Sequence, residues 1–197
     1  MKKHLFSLIA LFTCFANHSF AQCSLDVITE KLSKSTLNAA FVQDKKIAAL
    51  SNPLKSIGNI WFSEDAELVW QVQKPIKSTM VIKQGKILQF NRKDKQLESN
   101  QMTAPSSLAT LFYNIASGKL SDLKTQFELN LRCNGTSWEV TLSPKEQQIS
   151  QFIKELKLIG VEQIDSFSYE ENRGDKTHVS LTHLKEDLSP KFSRYLN

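Results

Sequence analysis

Glycine is scarce in this chain: six in 197 residues, none arranged as a phosphate-cradling loop. The G-x-S-x-G elbow that carries a nucleophilic serine is also missing. Four histidines occur. His4 and His18 lie in a leader, and His178 and His183 stand five residues apart on a predicted strand, which puts them on opposite faces and argues against a shared metal. Glu64, Asp65 and Glu67 read as a solvated loop rather than a cation site. No cofactor, no metal and no enzymatic activity are expected. No Pro/Gly/Ser-rich linker divides the chain, so residues 22–197 read as one domain. Beyond the leader, no apolar run approaches the ~20 residues of a membrane helix.

What is present at the start fixes a compartment. Lys2, Lys3 and His4, then apolar Leu5 to Phe15, then Ser19-Phe20-Ala21 read as a cleavable secretory signal peptide over residues 1–21, and imply export. Cys14 leaves with it, and Cys23 and Cys133 remain. An even pair in an exported chain predicts a disulfide, which stabilises by roughly 4–5 kcal/mol in the chain-entropy model. Gln22 stands where a lipobox needs a small residue, against acylation of Cys23, and C-x-x-C redox spacing is absent. The formal charge of +5 includes Lys2 and Lys3, and the remaining cations are spread along the chain. Without a basic cluster interleaved with aromatics, nucleic acid is excluded as a partner. The weakly basic surface reads as solvated, or as suited to acidic headgroups or partners.

Periodicity then supplies elements. Ser24 to Ser35 reads as an amphipathic helix with Ser24 as N-cap and Leu25, Ile28 and Leu32 on one face. From Phe41 to Leu97 the period becomes two, with strands around Ile60-Phe62, Leu68-Trp70-Val72, Met80-Ile82 and Leu88-Phe90, and a turn at Gly85. Pro105 to Ser117 returns to helical spacing, ended by Gly118; a single helix amid strands must lie on the sheet. Asn134-Gly135 between two alternating runs predicts a hairpin that pairs Leu131 with Trp138, Leu129 with Val140 and Phe127 with Leu142. The same turn accounts for the Asn134-Gly135-Thr136 sequon. A short helix at Glu146 to Phe152 and strands at Ile153–Ile159, Gln163–Tyr169 and Val179–Leu184 follow, with a turn at Arg173-Gly174-Asp175. The large apolar residues on the inner strand faces fit a packed core or a lipid cavity equally well.

The order Phe41-Val42-Gln43, Lys45-Lys46, Pro53-Leu54-Lys55-Ser56, Gly58-Asn59-Ile60-Trp61-Phe62, Leu68-Val69-Trp70 and Pro75 resembles the opening of the LolA-like periplasmic outer-membrane lipoprotein carriers. The resemblance implies an α+β fold, a half-closed and strongly curved antiparallel β-barrel of roughly ten strands, with helices forming a lid on its concave side. It implies an apolar cavity and lid built from Phe62, Leu68, Trp70, Met80, Ile82, Leu88, Phe90, Leu108, Leu111, Phe112, Leu131 and Trp138. The implied function is a monomeric periplasmic carrier for acyl chains of lipoproteins or related lipidated products, served by an inner-membrane donor and an outer-membrane acceptor. Two features depart from the main carriers. Ser63-Glu64-Asp65-Ala66 replaces their Arg-Pro pair, and Pro190 to Asn197 stops short of their final strand. Both are similar to divergent paralogues of envelope lipid or pigment-lipid pathways. A sensor or interaction module with a filled core is the rival expectation, and an accessory factor of an envelope lipid or pigment-lipid pathway that releases no cargo itself is the third.

Overall fold

Ten strands, each hydrogen-bonded to the next, make one antiparallel sheet in a computed structural model that describes residues 23–34, 37–63, 67–83, 86–98 and 106–196. The strands are β1 (Asn38–Lys46), β2 (Leu54–Ser63), β3 (Glu67–Lys74), β4 (Ser78–Lys83), β5 (Lys86–Phe90), β6 (Phe127–Asn134), β7 (Ser137–Pro144), β8 (Ile153–Gly160), β9 (Ile164–Glu171) and β10 (Lys176–His183). Their order is β5-β4-β3-β2-β1-β10-β9-β8-β7-β6. The single non-sequential neighbour is β1 against β10, so Phe41 stands between Gly58 and Leu181 and joins the two halves. Strands β5 and β6 are the two edges, and the curved sheet does not close into a barrel. Beyond β5, Gln96 bridges back to Phe90 and Leu97 N–H donates to Gln89 O at 2.7 Å.

Helices α1 (Leu25–Ser33) and α2 (Ser106–Ala116) cover one face, here the inner face; α3 (Gln147–Ser150) is a single turn, and α4 (Ser189–Leu196) lies on the opposite face. Ser24 Oγ caps α1 by accepting from Val27 N–H at 3.3 Å, and buried Ile28 and Leu32 join the main core. The Cys23–Cys133 disulfide ties the entry of α1 to the end of β6, with Cα atoms 6.4 Å apart. Helix α2 stops at Gly118, whose positive φ of +69° turns the chain.

Expectation and structure differ at three places. The β6–β7 turn is centred on Gly135-Thr136, so Leu131 pairs with Val140, Leu129 with Leu142 and Cys133 with Trp138, two residues from the predicted register. Only Gly135 takes positive φ there, the requirement of a type II′ turn rather than the type I′ that Asn-Gly favours. The shift is even, so the same side chains share a face.

Leu88 and Phe90 face outward, not inward. Lys83 pairs with Lys86, so a two-residue connection places Leu88 opposite Val81 and Phe90 opposite Thr79, while Ile87 and Gln89 take the inner face beside Ile82 and Met80.

Helices do not all lie on the inner side either. Leu188, Phe192 and Tyr195 present a stripe that buries Trp61, Val69 and Val81 on the outer face. The leader predicted over residues 1–21, residues 64–66, Gly85, Pro105 and the side chain of Leu108 lie outside the described residues.

Candidate ligand cavity beneath the mid-chain helix

Trp70 is the centre of the inner face. Antiparallel pairing sets it between Ile60 on β2 and Met80 on β4, and its ring contacts come from three elements. Phe41 lies 4.7 Å away, Phe167 of β9 5.8 Å away edge-on, and Phe112, descending from α2, 6.1 Å away. Phe112 also meets Phe167 at 5.6 Å and Tyr169 at 6.1 Å. These separations lie in the range where tilted and edge-to-face rings attract.

The aromatic stack divides the space under α2. On one side a small void of about 20 Å3 is bounded by Leu37, Ile60, Ala116 and Leu181. On the other a cavity of about 310 Å3 runs along Trp70, Met80, Phe112, Phe167 and Val179 and reaches solvent between Gln43, Ser78, Asn91, Leu97 and Tyr169. That volume is at the lower end of the roughly 300–1,000 Å3 of small-ligand sites. Its floor is apolar, and its polar groups gather at the open end.

Of the twelve residues expected to form cavity and lid, Trp70, Met80 and Phe112 border this space from the inner face, and Phe90 touches it although its ring packs outward against Tyr195. Phe62, Leu68 and Ile82 pack instead into a filled cluster beside Tyr113 and Ala116. Leu111 and Trp138 are buried in the main core, where the Trp138 indole N–H donates to Val161 O at 2.9 Å, and Leu131 packs against that core half-buried. Leu88 belongs to the outer cluster under α4. Gln43, Gln89, Asn91, Tyr169 and Val179 were not among the expected residues. Gln43 is the polar member of the F-x-Q run; its spacing of two from buried Phe41 puts it on the inner face, a signal that its polarity masks.

The residues lining the cavity are uncharged, but the turn that Asn91 opens is charged. Asn91 Oδ1 accepts from Lys93 N–H at 2.9 Å and Lys95 N–H at 3.2 Å, closing a tight turn in which Asp94 has φ +59°. Asp94 accepts from Lys77 Nζ at 2.7 Å and from Tyr195 Oη at 2.6 Å, and Arg194 stands 3.1 Å away. The hydrogen bonds from Lys77 and Tyr195 hold its carboxyl below the ordinary value. Further along the rim Lys45 pairs with Glu171 at 2.7 Å; burial pulls its pKa down, the carboxylate pulls it up, and the net shift is upward. Among the described residues no cluster of His, Cys, Asp or Glu is arranged to hold a metal, and no helix is long and apolar enough to cross a membrane. His178 contacts Ser180 and His183 contacts Ile164 O, so the two do not converge.

Residues 33–193 match the family described as Outer membrane lipoprotein carrier protein LolA, and the chain belongs to that family. No curated protein sequence matches it. Among solved structures it is similar to a LolA superfamily protein from Nitrosomonas europaea, with TM-score 0.43 and 8% identity over 86% of this chain and 97% of that one. A second is a putative outer membrane lipoprotein-sorting protein domain from Vibrio parahaemolyticus, with TM-score 0.43 and 8% identity over 87% and 97% of the two chains. A third is the MucA/MucB complex of Pseudomonas aeruginosa, with TM-score 0.45 and 13% identity; it is matched over 81% of this chain but only 54% of that one.

Proposed function

We propose that the protein is a non-enzymatic periplasmic carrier that shelters an acyl chain of a lipoprotein, or of a related lipidated product, in the cavity between α2 and the sheet, and exchanges it with membrane donor and acceptor proteins. The observation that carries this reading is the apolar-floored space of about 310 Å3 beside Trp70 and Phe112, with one open polar end. Each methylene buried there contributes about 0.8 kcal/mol. Much of the rest of the inner face is filled by Phe62, Leu68, Ile82 and their neighbours. The observed state therefore has room for one chain, and larger cargo requires α2 to move off the sheet.

The same filled packing favours one rival, a module that binds a protein partner at its sheet edge and holds no lipid. A neutral naphthylamine probe that gains fluorescence in an apolar site separates the two. A carrier takes up the probe and releases it to an acylated peptide but not to the same peptide without its acyl group. A protein that gives no probe signal at any concentration is the edge-binding module.

A further inference from the structure

The two turns that flank the cavity mouth, residues 74–78 and 91–95, read Lys-Pro-Ile-Lys-Ser and Asn-Arg-Lys-Asp-Lys. They hold five cations and one carboxylate, a net charge of +4 in a chain whose whole formal charge is +5. The sequence separates these turns; the sheet brings them together, because β4 begins at Ser78 and β5 ends at Phe90, opposite Thr79. The Lys77–Asp94 pair at 2.7 Å bridges them directly. That one carboxylate is already shared by Lys77 and Arg194. Lys74, Arg92, Lys93 and Lys95 are exposed and form no ion pair among the described residues. Ser78 and Asn91, from these same turns, line the mouth.

We infer that the site selects an amphiphile with an acidic headgroup: the apolar floor takes the chain while Lys74, Arg92, Lys93 and Lys95 meet a phosphate or carboxylate at the mouth. This inference rests on the carrier reading and adds to it the class of cargo. Unpaired like charges raise the local potential at the mouth of a low-dielectric space, and an anionic headgroup lowers that potential when its chain enters. The mouth supplies neutral hydrogen-bonding groups beside the cations, Ser78, Asn91, Gln43 and Tyr169, suited to headgroup oxygens. A cationic headgroup is repelled, and a neutral one gains only the apolar contribution.

The test displaces the neutral probe from the full mature chain with dodecyl phosphate, dodecyl maltoside and dodecyltrimethylammonium below their micellar concentrations, and with inorganic phosphate. Dodecyl phosphate is expected to displace at about a tenfold lower concentration than the maltoside in low salt, and the gap is expected to narrow as salt rises. Arg92→Glu with Lys93→Glu and Lys95→Glu is expected to abolish that preference and leave the maltoside midpoint unchanged. Should this variant not fold, Lys74→Glu with Arg92→Glu repeats the arm, and the salt series on the wild-type chain stands independently. Equal midpoints for all three headgroups overturn the inference and leave the carrier reading standing. Displacement by inorganic phosphate at the concentration of dodecyl phosphate also overturns it, since the anion would then act without a chain. Failure of every amphiphile to displace the probe removes the carrier reading as well.

Discussion

Phe112 reaches down from α2 to stand 6.1 Å from Trp70, with their planes at 46°, and this pair lies between the small void and the larger cavity and lines both. Truncating it joins the two spaces. Phe112→Ala is expected to destabilise by about 2–3 kcal/mol, less than the roughly 3–5 kcal/mol of a fully enclosed phenylalanine because this one is half-buried. It is also expected to take up a bulkier apolar probe than the wild-type chain does. Denaturant unfolding and probe titration of the same preparation check both outcomes; unchanged stability would place Phe112 outside the packing.

Gly58 faces a harder constraint. A Cβ there would lie 1.9 Å from Gln71 O and 2.8 Å from Phe41 Cζ, at the irregular step between β2 and β3. Gly58→Ala is expected to cost several kcal/mol through backbone displacement. Thermal unfolding should show a large drop, and a neutral result would mean that the two strands separate easily at this point.

The disulfide gives a third expectation. Cys23 and Cys133 are 110 residues apart, and a chemically cut bridge frees a long loop in the unfolded chain. Cys23→Ala with Cys133→Ala is expected to lose up to about 4–5 kcal/mol of stability. Urea midpoints of the variant and the oxidised wild type, compared under identical buffer, measure it.

Docking of α4 is expected to depend on acid. Asp94 has its folded pKa lowered from 3.8 by hydrogen bonds from Lys77 and Tyr195. Its contribution is therefore present above the unfolded carboxylate value and is lost as pH falls through the lower folded value. Asp94→Asn should be less stable than wild type at neutral pH, and the difference should shrink as pH drops below about 4. Asparagine tolerates the positive φ at this position, so backbone strain does not confound the comparison. A difference that stays constant from neutral to acid pH would show that the charge of Asp94 does not hold the helix.

Tyr195→Phe separates the hydroxyl from the ring. Its Oη is the meeting point of Gln71 Nε2 at 3.2 Å, Thr79 Oγ1 at 3.3 Å and Asp94 Oδ1 at 2.6 Å, and both Gln71 and Thr79 are buried. Removing it leaves Gln71 Nε2 and Thr79 Oγ1 with each other at 3.2 Å and is expected to cost about 0.5–1.5 kcal/mol. Calorimetry showing no change would mean that water replaces the hydroxyl.

Strand positions were legible because Leu68-x-Trp70-x-Val72 and Phe127-x-Leu129-x-Leu131 alternate, and period two survives whatever the tertiary context. The ordered run from Phe41 to Pro75 was legible for a different reason, as a family pattern. The outer face was not read, although Ile60-Trp61-Phe62 and Met80-Val81-Ile82 carry its trace: three consecutive apolar residues on a strand mean burial on both faces. The partner, α4, has only Phe192 and Tyr195 beside Leu188 to mark it, too short a stripe for periodicity to resolve. Residue parity after a two-residue turn misassigned Leu88 and Phe90. The basic rim stayed hidden for a topological reason, since residues 74–78 and 91–95 become neighbours only when β4 and β5 pair.

The central claim is that the space beside Trp70 holds the acyl chain, and Trp70 itself reports on it. Trp61 lies under α4 and Trp138 in the core under α1, so the difference between wild-type and Trp70→Phe emission isolates the Trp70 component. Titration with an acylated peptide is expected to shift that component to shorter wavelength, saturating at the concentration that displaces the neutral probe. Emission from Trp70 that stays constant while the acylated peptide binds elsewhere, or while it does not bind at all, would contradict the claim.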